Sequence, residues 1–231
     1  MRVFSPHLTV LPPEQQSLWP YLAPVQVLGF VLYGGTAIAL RLGHRPSVDF
    51  DFFNDQPLSK ALLMQHLPFL VSAQTIQDAP NTWTVQVTSS NTSHGSPGPW
   101  VKISFFGGID VGRIGEPEMT SDGILAVASP EDLLAHKLKV MLQRIEAKDY
   151  RDVAALLRSG VTLERGFGGA ASLFGPSFQP AESLKALVYF SGGDLAALDQ
   201  ADRTTLQTFV AAVDPRASLP PMTRLSQILM G

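Results

Sequence analysis

The sequence predicts an α+β fold: a mixed β-sheet flanked by helices, followed by a C-terminal helical domain. Two observations carry this. Runs of strand length alternate with helical patterns over the first half, namely VLGFVLY (27–33), VDFDFF (48–53), TWTVQVTS (82–89) and WVKISFF (100–106). After about residue 117 the strand signals stop and helical spacing takes over. The expected division is a core over residues 1–118 and a helical domain over 119–231.

Each element has its own signal. Pro12 and Pro13 open a short helix over 13–23. The apolar run 27–33 reads as a buried strand, since its period shows no polar face. Gly34 and Gly35 then form a turn, and TAIALRLG is a helix that stops at Gly43. Residues 48–53 alternate as a second strand, and 57–66 return to helix. The strands 82–89 and 100–106 flank a polar Gly/Pro stretch, which makes them a hairpin with a long tip. IDVGRI (109–114) is a further strand candidate.

The helical half begins at SPEDLLAHKLKVMLQRI (129–145), with Ser129 as N-cap, Pro130 at the first helical position and Asp132 three residues after the cap. Leu134, Leu138, Met141 and Ile145 make its inward stripe. KDYRDVAALLRSG follows as a helix stopped by Gly160, with Tyr150, Val153, Ala154 and Leu157 inward, Asp149 at the margin and Asp152 turned toward solvent. Residues 162–174, 179–191 and 202–213 give three more helices.

Composition limits the function classes. With 231 residues the chain has ample length for a core, and 45% hydrophobic with 16% charged residues is the balance of a globular protein. A net charge of −3 gives no basis for non-specific nucleic-acid binding, though a local basic patch is compatible with it. No cysteine is present, which excludes disulfides, thiolate metal sites and a cysteine nucleophile. The N-terminus lacks a signal-peptide apolar region and the apolar run 27–40 is too short to cross a bilayer, so the expectation is a cytoplasmic protein with no membrane partner.

The chemistry concentrates in RLGHRPSVDFDFF (41–53). Residues i and i+2 of a strand share a face, so Asp49 and Asp51 project together and Phe50 and Phe52 project oppositely. Two bare carboxylates so close repel, and a divalent cation between them removes the conflict. Mg²⁺ with carboxylates and substrate phosphates suits phosphoryl or nucleotidyl transfer. A solvated edge strand is the alternative reading of a lone Asp-x-Asp. Upstream, Gly34-Gly35-Thr36 lies between a buried strand and a helix, where glycines permit close backbone approach and exposed amides attract anions.

LYGGTAIALRLGHRPSVDFDFF resembles the opening motif of the nucleotidyltransferase superfamily, and more closely the AbiEii/AbiGii-type toxin nucleotidyltransferases. The matching features are Gly-Gly-Thr, Gly43-His44-Arg45 and Ser47-x-Asp49-x-Asp51, joined by a helix bearing Lys137 and a following helix opening with Lys-Asp-Tyr-Arg-Asp around Asp149. The resemblance covers roughly residues 30–160. It implies a nucleotidyltransferase fold and Mg²⁺-dependent transfer of NMP from an NTP to a hydroxyl. The acceptor it implies is RNA such as a tRNA end, and the partner a cognate antitoxin. Asp49 and Asp51 would hold the metal. Gly34, Gly35, Thr36, Arg45 and Ser47 would bind the nucleotide, and Lys102, which shares a face of the WVKISFF strand with Ser104, would serve the phosphates directly. Lys137 would meet triphosphate charge, and Asp149 would orient it or accept a proton. For the last two residues, a plain Lys–Asp ion pair between neighbouring helices is the rival account.

One position departs from the superfamily pattern. Many nucleotidyltransferases carry a third carboxylate on a later strand, and the matching residue of WVKISFF is Ser104. Asp110, or Asp149 from the helical half, is the candidate to substitute for it; otherwise the metal site is modified or the activity is lost. The alternatives to RNA transfer are a small-molecule acceptor or an inactive nucleotide-binding module.

Overall fold

The computed structural model describes residues 2–88, 100–214 and 218–228. The chain divides into two compact units, one of Met1–Gly112, Glu116–Ala128 and Ser226–Gly231, the other of Arg113–Gly115 and Ser129–Leu225. The first unit extends past the expected boundary at 118 because the chain re-enters its sheet twice more, at Glu118–Thr120 and Ala126–Val127.

The first unit holds β1 (Val3–Phe4), α1 (Pro13–Leu18), α2 (Pro24–Val27), β2 (Val31–Tyr33), α3 (Gly34–Leu42), β3 (Asp49–Phe53), α4 (Lys60–His66), β4 (Gln74–Ala79), β5 (Thr82–Thr88), β6 (Trp100–Phe106), β7 (Glu118–Thr120) and β8 (Ala126–Val127). The strands form one mixed sheet in the order β1-β7-β8-β2-β3-β6-β5-β4. The β2–β3 pair is antiparallel, with Tyr33 opposite Asp51; β3–β6 is parallel, with Asp49 beside Lys102 and Asp51 beside Ser104.

Alternation along β3 is as its pattern requires: Phe50 and Phe52 are fully buried, while Asp49, Asp51 and Phe53 are half-buried. Phe50 stacks near Phe52, and Phe52 near Phe105, so the apolar face of the central strands packs as a continuous row of rings.

Three local expectations are corrected, and one strand has no sequence signal. The run 27–33 is strand only over Val31–Tyr33, because Pro24 starts a short helix and Gly29, at φ +82°, turns the chain. Gly34 and Gly35 are the opening residues of α3 rather than a turn before it. IDVGRI is not a strand: Gly108 and Gly112 have positive φ, and only Arg113 bridges, to Leu225. β4 gave no sequence signal because it is an edge strand exposed on both faces, with no apolar alternation to read. The tip of the β5–β6 hairpin lies outside the described residues.

The second unit contains α5 (Pro130–Val140), α6 (Ala147–Arg158), α7 (Leu163–Phe174), α8 (Pro180–Val188) and α9 (Gln200–Ala212). Ser129 caps α5 as its sequence dictates, accepting from the Asp132 amide at 3.1 Å and donating to the Asp132 carboxylate at 2.6 Å. That carboxylate also accepts from the amides of Ile114 and Gly115 at 2.7 and 2.9 Å, fixing the Arg113–Gly115 segment to the helix start. α7 approaches α5 closely because Gly166 faces Leu134, where a Cβ would stand 2.6 Å from the leucine side chain. α5 ends at Val140, so Ile145 falls outside the helix and is exposed, while Leu134, Leu138 and Met141 are buried as the stripe predicts. Among the described residues no helix is long and apolar enough to cross a membrane.

Candidate active site

In the first unit the site grows from the contact of β3 with the start of α3. Tyr33 ends β2 in extended conformation and Gly34 begins α3 with φ +74°. A Cβ on Gly34 would stand 2.7 Å from Asp51 Oδ2, closer than real Cβ contacts allow. Only glycine accepts both this φ and this neighbour. The Asp51 carboxylate therefore lies against the first turn of a helix whose N-cap provides no side-chain bond. Backbone amides at such a start, with the helix dipole, favour anionic groups.

Asp49 lies two residues earlier on the same face, its side chain 35% exposed, with Lys102 Nζ 3.8 Å from Oδ1. That is an ion pair looser than a direct hydrogen bond. Thr36, the third residue of α3, and Ser47, just before β3, are buried; their hydroxyls are 2.7 Å apart, and Thr36 also donates to the Asp49 carbonyl. Arg45 is half-buried in the loop between α3 and β3 and donates to the Pro46 carbonyl at 2.9 Å. Gly35 follows Gly34 in the first turn. The structure thus gathers Gly34, Gly35, Thr36, Ser47, Asp49, Asp51 and Lys102 around one helix start.

Ser104 faces the same side of the sheet as Asp51, in register with it, but is buried and accepts from the Thr84 hydroxyl at 3.3 Å. Among the described residues no group of three or more His, Cys, Asp or Glu side chains is placed to hold a metal ion. The donors that fit a hard divalent cation are the two carboxylates on one partly open face.

In the second unit Lys137 of α5 and Asp149 of α6 meet at 2.6 Å, and Lys137 also pairs with Asp152 at 2.7 Å. Arg144 reaches Asp149 through Nε at 2.9 Å and a terminal nitrogen at 3.2 Å. Asp149 and Asp152 have fully buried side chains and that of Lys137 is 7% exposed. Burial pushes the Asp149 carboxyl up, but the bonds from Arg144 and Lys137 outweigh it and hold it below the usual range. Asp152 is not turned to solvent as its helical position suggested; it completes the pair. Asp149 and Asp152 lie one turn apart on α6, a spacing that signals a shared face. Arg144 sits between α5 and α6, where periodicity carries no information.

A family model, the nucleotidyl transferase AbiEii toxin of type IV toxin–antitoxin systems, matches residues 24–216. An uncharacterised protein of Aquifex aeolicus (strain VF5) is 28% identical over 131 residues, 56% of this chain; the match spans 58% of that relative's length. The solved structure of MenT4, a nucleotidyltransferase toxin of Mycobacterium tuberculosis H37Rv, superposes with a TM-score of 0.57 at 15% identity, over 87% of this chain and 84% of that one. At that identity the likeness establishes the nucleotidyltransferase-type fold. The Asp-x-Asp strand, its helix start and the Lys137–Asp149 helices all fall inside the matched span, and the chain belongs to the AbiEii nucleotidyl transferase toxin family.

Proposed function

We propose that the protein transfers a nucleoside monophosphate from an NTP to a hydroxyl of RNA, such as a tRNA end, and that a cognate antitoxin restrains it. The acceptor oxygen forms a bond to the α-phosphorus, the bond to the bridging oxygen of the β-phosphate breaks, pyrophosphate leaves, and the hydroxyl proton passes to solvent. The observation that carries this reading is the approach of Asp51 to Gly34, with Asp49 on the same face. It brings a pair of hard oxygen donors to an anion-favouring helix start.

Asp49 and Asp51 would hold Mg²⁺, which when bound offsets the charge of triphosphate and acceptor oxygen. Gly34 and Gly35 let phosphate oxygens approach the backbone, and Lys102 and Arg45 add positive charge. Lys137 and Asp149 enter this reading as a buried ion pair that fixes α5 to α6, because both sets of polar atoms are already engaged.

The test is transfer from each of four α-labelled NTPs into total tRNA with Mg²⁺, using wild type and the Asp49→Asn, Asp51→Asn double variant. Label in RNA that vanishes in the variant supports the reading. Label only in small molecules would replace RNA by a small acceptor. A second reading, nucleotide binding without turnover, is favoured by Ser104 beside Asp51 in place of a carboxylate. NTP binding with no transfer to either acceptor would establish it.

A further inference from the structure

Thr36 and Ser47 stand in the motif where hydroxyls would be expected to meet phosphate, yet Thr36 is 1% exposed and Ser47 6%. Their hydroxyls turn into the unit. A carbonyl oxygen has no proton, so Thr36 must spend its own on Asp49 O. The 2.7 Å contact between the hydroxyls then has one consistent direction, with Ser47 donating to Thr36. Ser47 is itself held by its amide, which donates to the Val10 carbonyl at 3.1 Å. The result is an ordered chain from Ser47 through Thr36 to the Asp49 main chain, each bond polarising the next.

The same helix start therefore locates both carboxylates. Gly34, its first residue, admits Asp51; Thr36, its third, ties down the backbone of Asp49. Among the described residues, the ion pair of the Asp49 side chain is the loose one with Lys102, at 3.8 Å. Its direction depends on where its main chain is held.

We infer that Thr36 and Ser47 are positioning residues: their hydroxyl chain sets the spacing of Asp49 from Asp51 and so the affinity of the pair for a divalent cation. The inference rests on the reading of Asp49 and Asp51 as cation ligands. Removing the Thr36 hydroxyl takes this partner from the part-buried Asp49 carbonyl and the buried Ser47 hydroxyl, a cost that a shift of β3 at its first residue would relieve.

The test measures Mn²⁺ binding to the full chain by the paramagnetic resonance signal of free Mn²⁺, with metal-free thermal unfolding alongside. Wild type, Thr36→Val, Thr36→Ser, Ser47→Ala and Asp49→Asn are compared. Thr36→Val should weaken Mn²⁺ binding about tenfold, the scale of one lost buried hydrogen bond. Thr36→Ser keeps the hydroxyl and should restore binding to within about twofold of wild type. The apparent KM for NTP at saturating metal should not change in either. Unaltered Mn²⁺ binding in Thr36→Val overturns the inference, and a raised KM for NTP alongside it would make Thr36 a phosphate ligand instead. If Thr36→Val fails to fold, Ser47→Ala decides, with binding about threefold weaker expected and unchanged binding overturning the inference. If wild type binds no more Mn²⁺ than Asp49→Asn, the metal reading falls and the inference with it.

Discussion

Asp51 rests on Gly34: Oδ2 occupies the space that any Cβ at position 34 would need, leaving 2.7 Å where van der Waals contact needs more. The glycine is thus a condition for the carboxylate's position, and its left-handed φ of +74° makes the requirement doubly strict.

Gly34→Ala should consequently damage site and stability together. The left-handed backbone costs about 1–2 kcal/mol for a residue with a Cβ. Asp51 must also turn away, so transfer activity should fall further than stability alone explains. Urea unfolding and a transfer assay on the same preparation measure the two losses. Full activity in a destabilised variant would separate Asp51 from the reaction.

Lys137→Met should destabilise the second unit. It removes the ammonium that Asp149 and Asp152 share, and breaking one side of a buried ion pair costs about 3–5 kcal/mol. Adding Asp152→Asn should recover part of the loss, since one buried charge is then gone. Urea midpoints of the single and double variants check this. A Lys137→Met protein of wild-type stability that has lost transfer would instead make Lys137 a substrate ligand.

Stability should fall on acidification in two windows. His136 is half-buried overall, but its Nε2 is buried and its ring lies edge-on to Phe174, and burial lowers its pKa from 6.5 to about 4. Its pKa is depressed, so between pH 6.5 and about 4 the unfolded chain takes up a proton that the folded chain refuses. Stability is full above 6.5 and declines through that window. Asp149, also depressed, contributes stability that is present above its ordinary value of 3.8 and is lost as pH falls through its folded value. Urea midpoints taken as a function of pH should show His136→Gln flattening the first decline and Asp149→Asn the second.

Ser104→Asp should make stability depend on metal. The new carboxylate would lie beside Asp51 and share its face, where like charges repel. Thermal unfolding with a chelator should give a lower midpoint than wild type, and excess Mg²⁺ should recover it. A midpoint indifferent to metal would show that position 104 does not see the site. Ser104 is 3% exposed, so the buried carboxylate itself lowers the midpoint, and its recovery by Mg²⁺ is the metal-dependent signal.

Much of this was legible along the chain. Period-two alternation placed Asp49 and Asp51 opposite Phe50 and Phe52, because strand geometry leaves successive side chains no other choice. Ser129, Pro130 and Asp132 marked the start of α5, since capping is a contact between residues near in sequence. The partnership of Lys137 with Asp149 is one of the two readings the helical pattern allows, whereas its closure by Asp152 and Arg144 depends on contacts that the pattern does not encode.

What sequence alone determined are properties set within a few residues: the cap of α5, the type of the strongly patterned elements and the shared face of the acid groups on β3, whereas the inward face of Asp152 came from the fold. Tertiary structure decided the rest. It turned the Thr36 and Ser47 hydroxyls inward to the Asp49 carbonyl, set Asp51 on Gly34 and put Ser104 beside Asp51. Each of these joins residues eleven or more positions apart, and the Ser104–Asp51 register spans two strands whose pairing is chosen by the packing of the whole sheet. Local periodicity says which way a side chain points, and only the closed fold says what it meets there.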